Sequence, residues 1–155
     1  MQSDKFTALV RNAIGAAQSA ALAADHQKLT AEHVLAALLK DDNMTVKMLL
    51  AKAGADSASL SALLKAGLDK FPQVTGSGAG QLQLDADLAR ILAAVEAEAK
   101  ARHDQFIAVD LLLLGMTKST GSVGKILKKA GVEPAPLGAA IDEMRKGRTA
   151  DSDAA

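Results

Sequence analysis

Cysteine, tryptophan and tyrosine are absent from this 155-residue chain, and only three Phe and three Pro occur in it. Without cysteine no disulfide can form, and none is needed. A chain of this length buries roughly 68 to 70% of its unfolded surface, so neither a disulfide nor a metal is required for folding. An excess of one charge is also missing, since 18 basic side chains balance 18 acidic ones. That balance, with almost no aromatic rings, removes the phosphate-binding face and the stacking platform of a nucleic-acid binder. Long apolar runs are lacking too. Val34 to Leu39 is the longest, and the all-leucine run Leu111 to Leu114 is shorter still, far short of the ~20 residues of a membrane span. Asp4, Lys5 and Arg11 interrupt the N-terminus where a secretory signal would be apolar. The expectation is a soluble, cytoplasmic protein that engages neither nucleic acid nor membrane.

What the chain has is alanine and leucine recurring at three- and four-residue spacing, the pattern of amphipathic helices in an all-α protein. Phe6, Leu9, Val10, Ala13, Ile14, Ala17, Ala20, Ala21 and Ala24 make one stripe, with Ser3 or Asp4 placed to cap it. Thr30 reads as the N-cap of a second helix over 31–40, and a third over 45–53 stops at Gly54. Asp56 or Ser57 opens a fourth helix, which Pro72 ends at Phe71. The glycine-rich stretch 73–83 reads as a connector.

Sliding the sequence on itself by 77 positions pairs Ile14 with Ile91, His26 with His103, Leu35 with Leu112 and Val46 with Val123. Lys52-Ala53-Gly54 meets Lys129-Ala130-Gly131 in the same register. The predicted architecture is therefore eight helices in two tandem four-helix repeats related by a pseudo-twofold axis. Repeat one spans 4–72, the connector 73–83 and repeat two 84–147, forming one domain over 1–148; residues 149–155 read as a flexible tail or the start of a linker. Asp85 caps helix five, and Pro134 opens helix eight. In this register Ile107 stands where Thr30 caps, which leaves the start of helix six without a side-chain cap.

Reactive constellations are missing. Gly121-Ser122-Val123-Gly124-Lys125-Ile126 departs from a phosphate-binding loop at two positions, since Ser119 stands where glycine is needed and Ile126 where a hydroxyl is needed. Gly76, Gly78 and Gly80 follow no strand. His26 and His103 read as rings meeting helix-end carbonyls, and with His33 they lack metal-ligand spacing. No cofactor, metal or catalytic residue is expected, and a hidden hydrolase or metal enzyme is the weakest of three functional classes.

Phe6-Thr7, the run Leu29 to Leu39, Ala53-Gly54, and their echoes in Phe106 to Leu114 and Ala130-Gly131 resemble the Clp N-terminal repeat domain. The connector Phe71 to Gly76 and the tail Met144 to Ser152 look most like the disaggregase, or ClpB-type, branch of that family. The resemblance covers about residues 1 to 152. It implies a non-catalytic module that binds unfolded or aggregated polypeptide for hexameric AAA+ ATPase rings absent from this chain, the isolated domain being monomeric. Carried over by position, it implies client contacts at Thr7, Leu92, Ala94, Asp104, Asp110 and Leu111, with Ala94 standing where a larger apolar residue is common. The alternative it implies is an adaptor-docking domain of the ClpA or ClpC kind, or a stand-alone adaptor. Phosphoarginine recognition of the ClpC kind finds Glu32 in place but Val109 at the partner position.

Overall fold

A computed structural model describes residues 3–40, 44–75 and 81–155, so the centre of the glycine-rich connector lies outside the described residues. After a 3-10 turn (Ser3–Lys5) come α1 (Ala8–Ala23), β1 (Lys28–Leu29), α2 (Ala31–Lys40), α3 (Met44–Lys52) and α4 (Ser57–Asp69). The second half holds β2 (Gln83–Leu84), α5 (Ala86–Ala101), α6 (Val109–Thr117), α7 (Ser122–Lys129) and α8 (Pro134–Arg145). Among the described residues the structure is all-α but for the short parallel pair β1–β2 and two isolated bridges, Phe6–Ile107 and His26–Gln73.

Local chemistry explains most boundaries. Asp56 and Asp85 accept amides at the starts of α4 and α5, and Thr30 Oγ1 accepts the His33 amide in α2. Gly54 (φ 85°) and Gly131 (φ 88°) take the left-handed conformation just beyond α3 and α7. The expected cap of α1 at Ser3 or Asp4 is corrected to Thr7, whose Oγ1 accepts the Val10 amide at 3.3 Å. The reason is backbone pairing. Thr7 N–H donates to the Ile107 carbonyl (3.0 Å) and Ile107 N–H to the Lys5 carbonyl (2.7 Å), so residues 5–7 are committed to an extended bridge. Helix α4 ends at Asp69 rather than Phe71, because the Phe71 ring turns onto His26 and His33.

The C-terminal segment is held, not loose. Ala150 is buried, its carbonyl accepts the amides of Gln105 and Phe106, and the Asp153 carbonyl accepts the Ala8 amide at 2.7 Å. Residues 149–155 therefore lie across the start of α1.

The repeat register also changes. Caps Thr7 and Asp85, buried pairs Val10/Leu88, Ala13/Ile91, Ala17/Val95 and Ala21/Ala99, and left-handed Asp25 and His103 are each 78 apart. From Val46/Val123 through Gly54/Gly131 the spacing is 77, so repeat two is one residue shorter between Lys118 and Val123 than repeat one between Lys40 and Val46. In the 78 register the Phe6–Ile107 bridge is the counterpart of Leu84–Leu29, with the repeats exchanged. His103 thus answers to Asp25, and the residue answering to Thr30 is Ala108, not Ile107. Ala108 makes no side-chain cap; Asp110 accepts the Leu111 amide instead, at 2.7 Å.

One core runs through both repeats. Helix α6 is buried on all sides and packs against α3, α5, α7 and α8, as an interior helix must. It lies close to α5 because residue 115 is glycine: a Cβ there would come within 2.4 Å of Val95 Cγ2. Its counterpart in repeat one is Ala37, opposite Ala17 rather than Val95. Gly115→Ala should therefore destabilise the protein by about 1–3 kcal/mol despite alanine's better helix propensity. Urea unfolding monitored by circular dichroism measures the loss, and Val95→Ala in the same chain should recover part of it.

Candidate functional site

Each repeat carries a groove between its first two helices. In repeat two a groove of about 260 Å³ is lined by Ile91, Ala94 and Val95 of α5 and by Leu111, Leu114 and Gly115 of α6. Asp87, Arg90, Glu98 and Lys118 supply charges of both signs at its rim, and Ser119 and Thr120 supply hydroxyls. Residues 87, 91, 94 and 98 recur at helical spacing, so a single stripe of α5 builds one wall. That stripe is legible in the sequence, yet sequence reasoning picked out only Ala94 on it. Ser119 Oγ donates to both Asp87 carboxylate oxygens at 3.0 and 2.9 Å, which fixes that acid at the rim. The phosphate-loop lookalike is the entry to α7, with Gly121 as its first flanking residue.

The six residues singled out from the sequence fall into three places. Ala94 and Leu111 meet in this groove, Ala94 exposed and Leu111 only 1% exposed on its floor. Leu92 is 9% exposed and belongs to the core on another side of α5. Thr7, Asp104 and Asp110 lie around the junction that joins the N-terminus, α6 and the C-terminal segment. Thr7 is fully buried as the α1 cap.

The two aspartates there do not face solvent as free anions. Arg145 Nε and Nη2 donate to the two Asp110 oxygens at 2.6 and 2.9 Å, and Nη1 donates to Asp104 Oδ1 at 2.8 Å. The Asp104 side chain is 0% exposed, and its Oδ1 also accepts the Ala150 amide. Asp104 Oδ2 is buried without a protein partner. The bidentate grip on Asp110, reinforced by Asp104, holds the Arg145 proton more tightly than usual against the opposing cost of burial. This network ties α8 and the outgoing segment to the start of α6.

Repeat one answers with different chemistry. Glu32, the counterpart of Asp110 rather than of Val109, is buried and accepts Ser122 Oγ at 2.8 Å. Burial pushes its carboxyl up from the ordinary value, opposed by that hydrogen bond. His33, the counterpart of Leu111, has its Nδ1 faced by the Thr30 amide at 3.1 Å. Nδ1 is therefore an acceptor, Nε2 carries the proton, and Nε2–H donates to His26 Nδ1 at 2.8 Å. The expectation that His26 reaches helix-end carbonyls is replaced by this buried pair under the Phe71 ring. Among the described residues no group of three or more His, Asp or Glu side chains could hold a metal ion, and no helix is long and apolar enough to cross a membrane.

Burial, with the neighbouring His26, lowers the His33 pKa from 6.5 to about 4. As pH falls, the unfolded chain takes up this proton first, so the stability His33 contributes is full above about 6.5 and lost down to about 4, about 3 kcal/mol at most. His33→Leu should flatten the unfolding free energy across that window relative to the parent chain, measured by urea titration at stepped pH. Arg145→Met should cost roughly 3–5 kcal/mol at neutral pH by leaving two buried carboxylates without their counter-charge. Arg145→Lys should recover only part, since an ammonium lacks the planar fork; urea midpoints measure both.

The family described as "Clp repeat (R) N-terminal domain" matches residues 5–143. The chain is 42% identical over 98% of its length to Chaperone protein ClpB of Rhizobium meliloti (strain 1021), and 40% identical over the same share to that of Rhodopseudomonas palustris. It spans 18% and 17% of those relatives' lengths. In fold it matches the Hsp104 N-terminal domain from Candida albicans with a TM-score of 0.83 at 21% identity, covering 96% of this chain and 97% of that one. The N-terminal domain of the ClpV1 ATPase from E. coli matches with a TM-score of 0.76 at 19% identity, covering 92% and 87%. With the paired four-helix repeats and the groove between α5 and α6 in view, these likenesses converge: the chain belongs to the Clp N-terminal repeat family.

Proposed function

We propose that this domain recognises unfolded or aggregated polypeptide through the α5–α6 groove and presents it to AAA+ rings of a parent disaggregase. The observation that supports this reading is the groove itself: an apolar floor open at Ala94 and edged by Asp87, Arg90, Glu98 and Lys118. Such a trough desolvates an apolar stretch of client, while Ser119, Thr120 and the rim charges meet the backbone polar groups that an extended chain cannot satisfy alone. Most floor side chains are already buried, so each contact adds little area and binding is weak and reversible. That suits a module that hands clients on.

In this reading Asp104 and Asp110 act through position. They anchor Arg145 and the segment leading away from the domain, while Ala94 and Leu111 touch the client. Adaptor docking is the second reading, favoured by Met44 (65% exposed) and Met48 (44%), one turn apart on α3 and outside the groove. Met44→Ser with Met48→Ser removes that patch and leaves client binding unchanged if the groove carries recognition.

Fluorescence anisotropy with labelled, reduced and carboxymethylated lactalbumin tests the groove. Ala94→Glu should weaken binding at least fivefold by placing a charge over the floor, and Ala94→Leu should strengthen it. Equal affinity for all three chains would remove the groove from the proposal.

A further inference from the structure

We infer that repeat one carries a second docking site, a groove between α1, α2 and α4 that takes an amphipathic helix of a partner protein with an acidic C-terminal half. This site does not rest on the client reading above. It is the counterpart of the repeat-two groove, with Ala16 standing where Ala94 stands, but at about 770 Å³ it is far roomier.

Side-chain size is the reason. The walls and floor use Ala16, Ala20, Ala36 and Ala37 where repeat two uses Ala94, Glu98, Leu114 and Gly115, with Leu39 and Leu68 at the edges. Alanine surfaces let another helix approach toward the ~8 Å end of the interaxial range. A helix brings its own amides and carbonyls already paired and buries only its apolar face, which suits a floor of alanines with Asn12 and Ser61 at its side.

Charge sets the direction. Phe71, just past the end of α4, touches His33 in the first turn of α2, so the two helices run antiparallel. Lys40 therefore marks one end of the groove and Asp69 the other, with Lys65 between them, and all three are exposed. An occupant helix fits with its N-terminus, the positive end of its dipole, at Asp69, and with Glu or Asp in its last turns beside Lys65 and Lys40. Beyond the Asp69 end, His26, His33 and Phe71 line an adjoining cavity of about 470 Å³ that shares Ala20 and Leu68 with the groove.

The test uses the 155-residue chain and two fluorescein-labelled, hydrocarbon-stapled 16-residue helical peptides with a Leu/Ala face, one ending in a Glu pair and the other in a Lys pair. The Glu-ended peptide should bind at least tenfold more tightly at low salt and shift backbone amide signals within 12–20, 33–40 and 61–69. Ala16→Glu should abolish its binding while leaving that of unfolded lactalbumin unchanged, and Ala94→Glu should do the reverse. Lys40→Glu with Lys65→Glu, both at exposed positions, should invert the preference between the peptides; circular dichroism confirms that each variant is folded. Equal affinity for the two peptides, binding of neither, a preference that survives the double charge reversal, or shifts confined to α5 and α6 would each overturn the assignment. So would sedimentation showing that the free domain covers this face with a second copy of itself.

Discussion

The seam between the first and second helix of each repeat constrains everything else in this fold. Two helices can lie side by side only as closely as their facing side chains permit, and here the bulk on one side is matched by smallness on the other. In repeat two Val95 and Ile91 face Gly115, whereas in repeat one the corresponding positions are Ala17, Ala13 and Ala37. Both arrangements close the seam, but they distribute volume differently. Branched residues on α5 narrow the repeat-two groove to a slot, and alanines on α1 leave a broad trough. The grooves are by-products of how each seam solves the same packing problem.

A second constraint comes from burying charge. Arg145 lies 35 residues from Asp110 and 41 from Asp104, and its side chain is 12% exposed. Such a cluster is not a gain over an apolar core, because desolvation offsets most of the Coulombic attraction. What it supplies is geometry, since two carboxylates with fixed positions allow one placement of the guanidinium fork. That fixes the C-terminus of α8, and with the Ala150 amide on Asp104 it fixes the path of the chain leaving the domain. Residues that look like anionic bait in the sequence are thus joints in the frame.

Much of this was legible in the sequence, and the failures have identifiable physics. Thr30, Asp56, Asp85, Gly54 and Pro134 were readable because capping is local: the residue that signals a helix end is the residue that makes it. The start of α1 was misread because Thr7 competes with a long-range bridge to Ile107, which no local pattern announces. The 77-residue register holds from Val46 onward, where Lys-Ala-Gly recurs, and slips by one upstream. In alanine-rich helices identities recur by chance at either spacing, whereas burial does not: Ile91 is buried like Ala13, while Ile14 is only half-buried. The groove was half-visible. Helical spacing places 87, 91, 94 and 98 on one wall, but nothing in the sequence separates Leu111 as floor from Leu111 as core, because α6 is apolar on every face.

The two halves keep one acid and change what answers it. Glu32 and Asp110 occupy the same first-turn position of α2 and α6, where a carboxylate meets the unsatisfied amides and the positive end of the helix dipole. That local advantage is independent of tertiary partners. The partner is where the repeats diverge: Asp110 meets the guanidinium of Arg145, whereas Glu32 meets the neutral hydroxyl of Ser122, reaching across from α7. A guanidinium cancels the buried charge and a hydroxyl does not, so burial raises the Glu32 pKa. One backbone motif therefore yields a charged anchor in repeat two and, in repeat one, a buried acid held by a neutral hydroxyl, its pKa raised by burial.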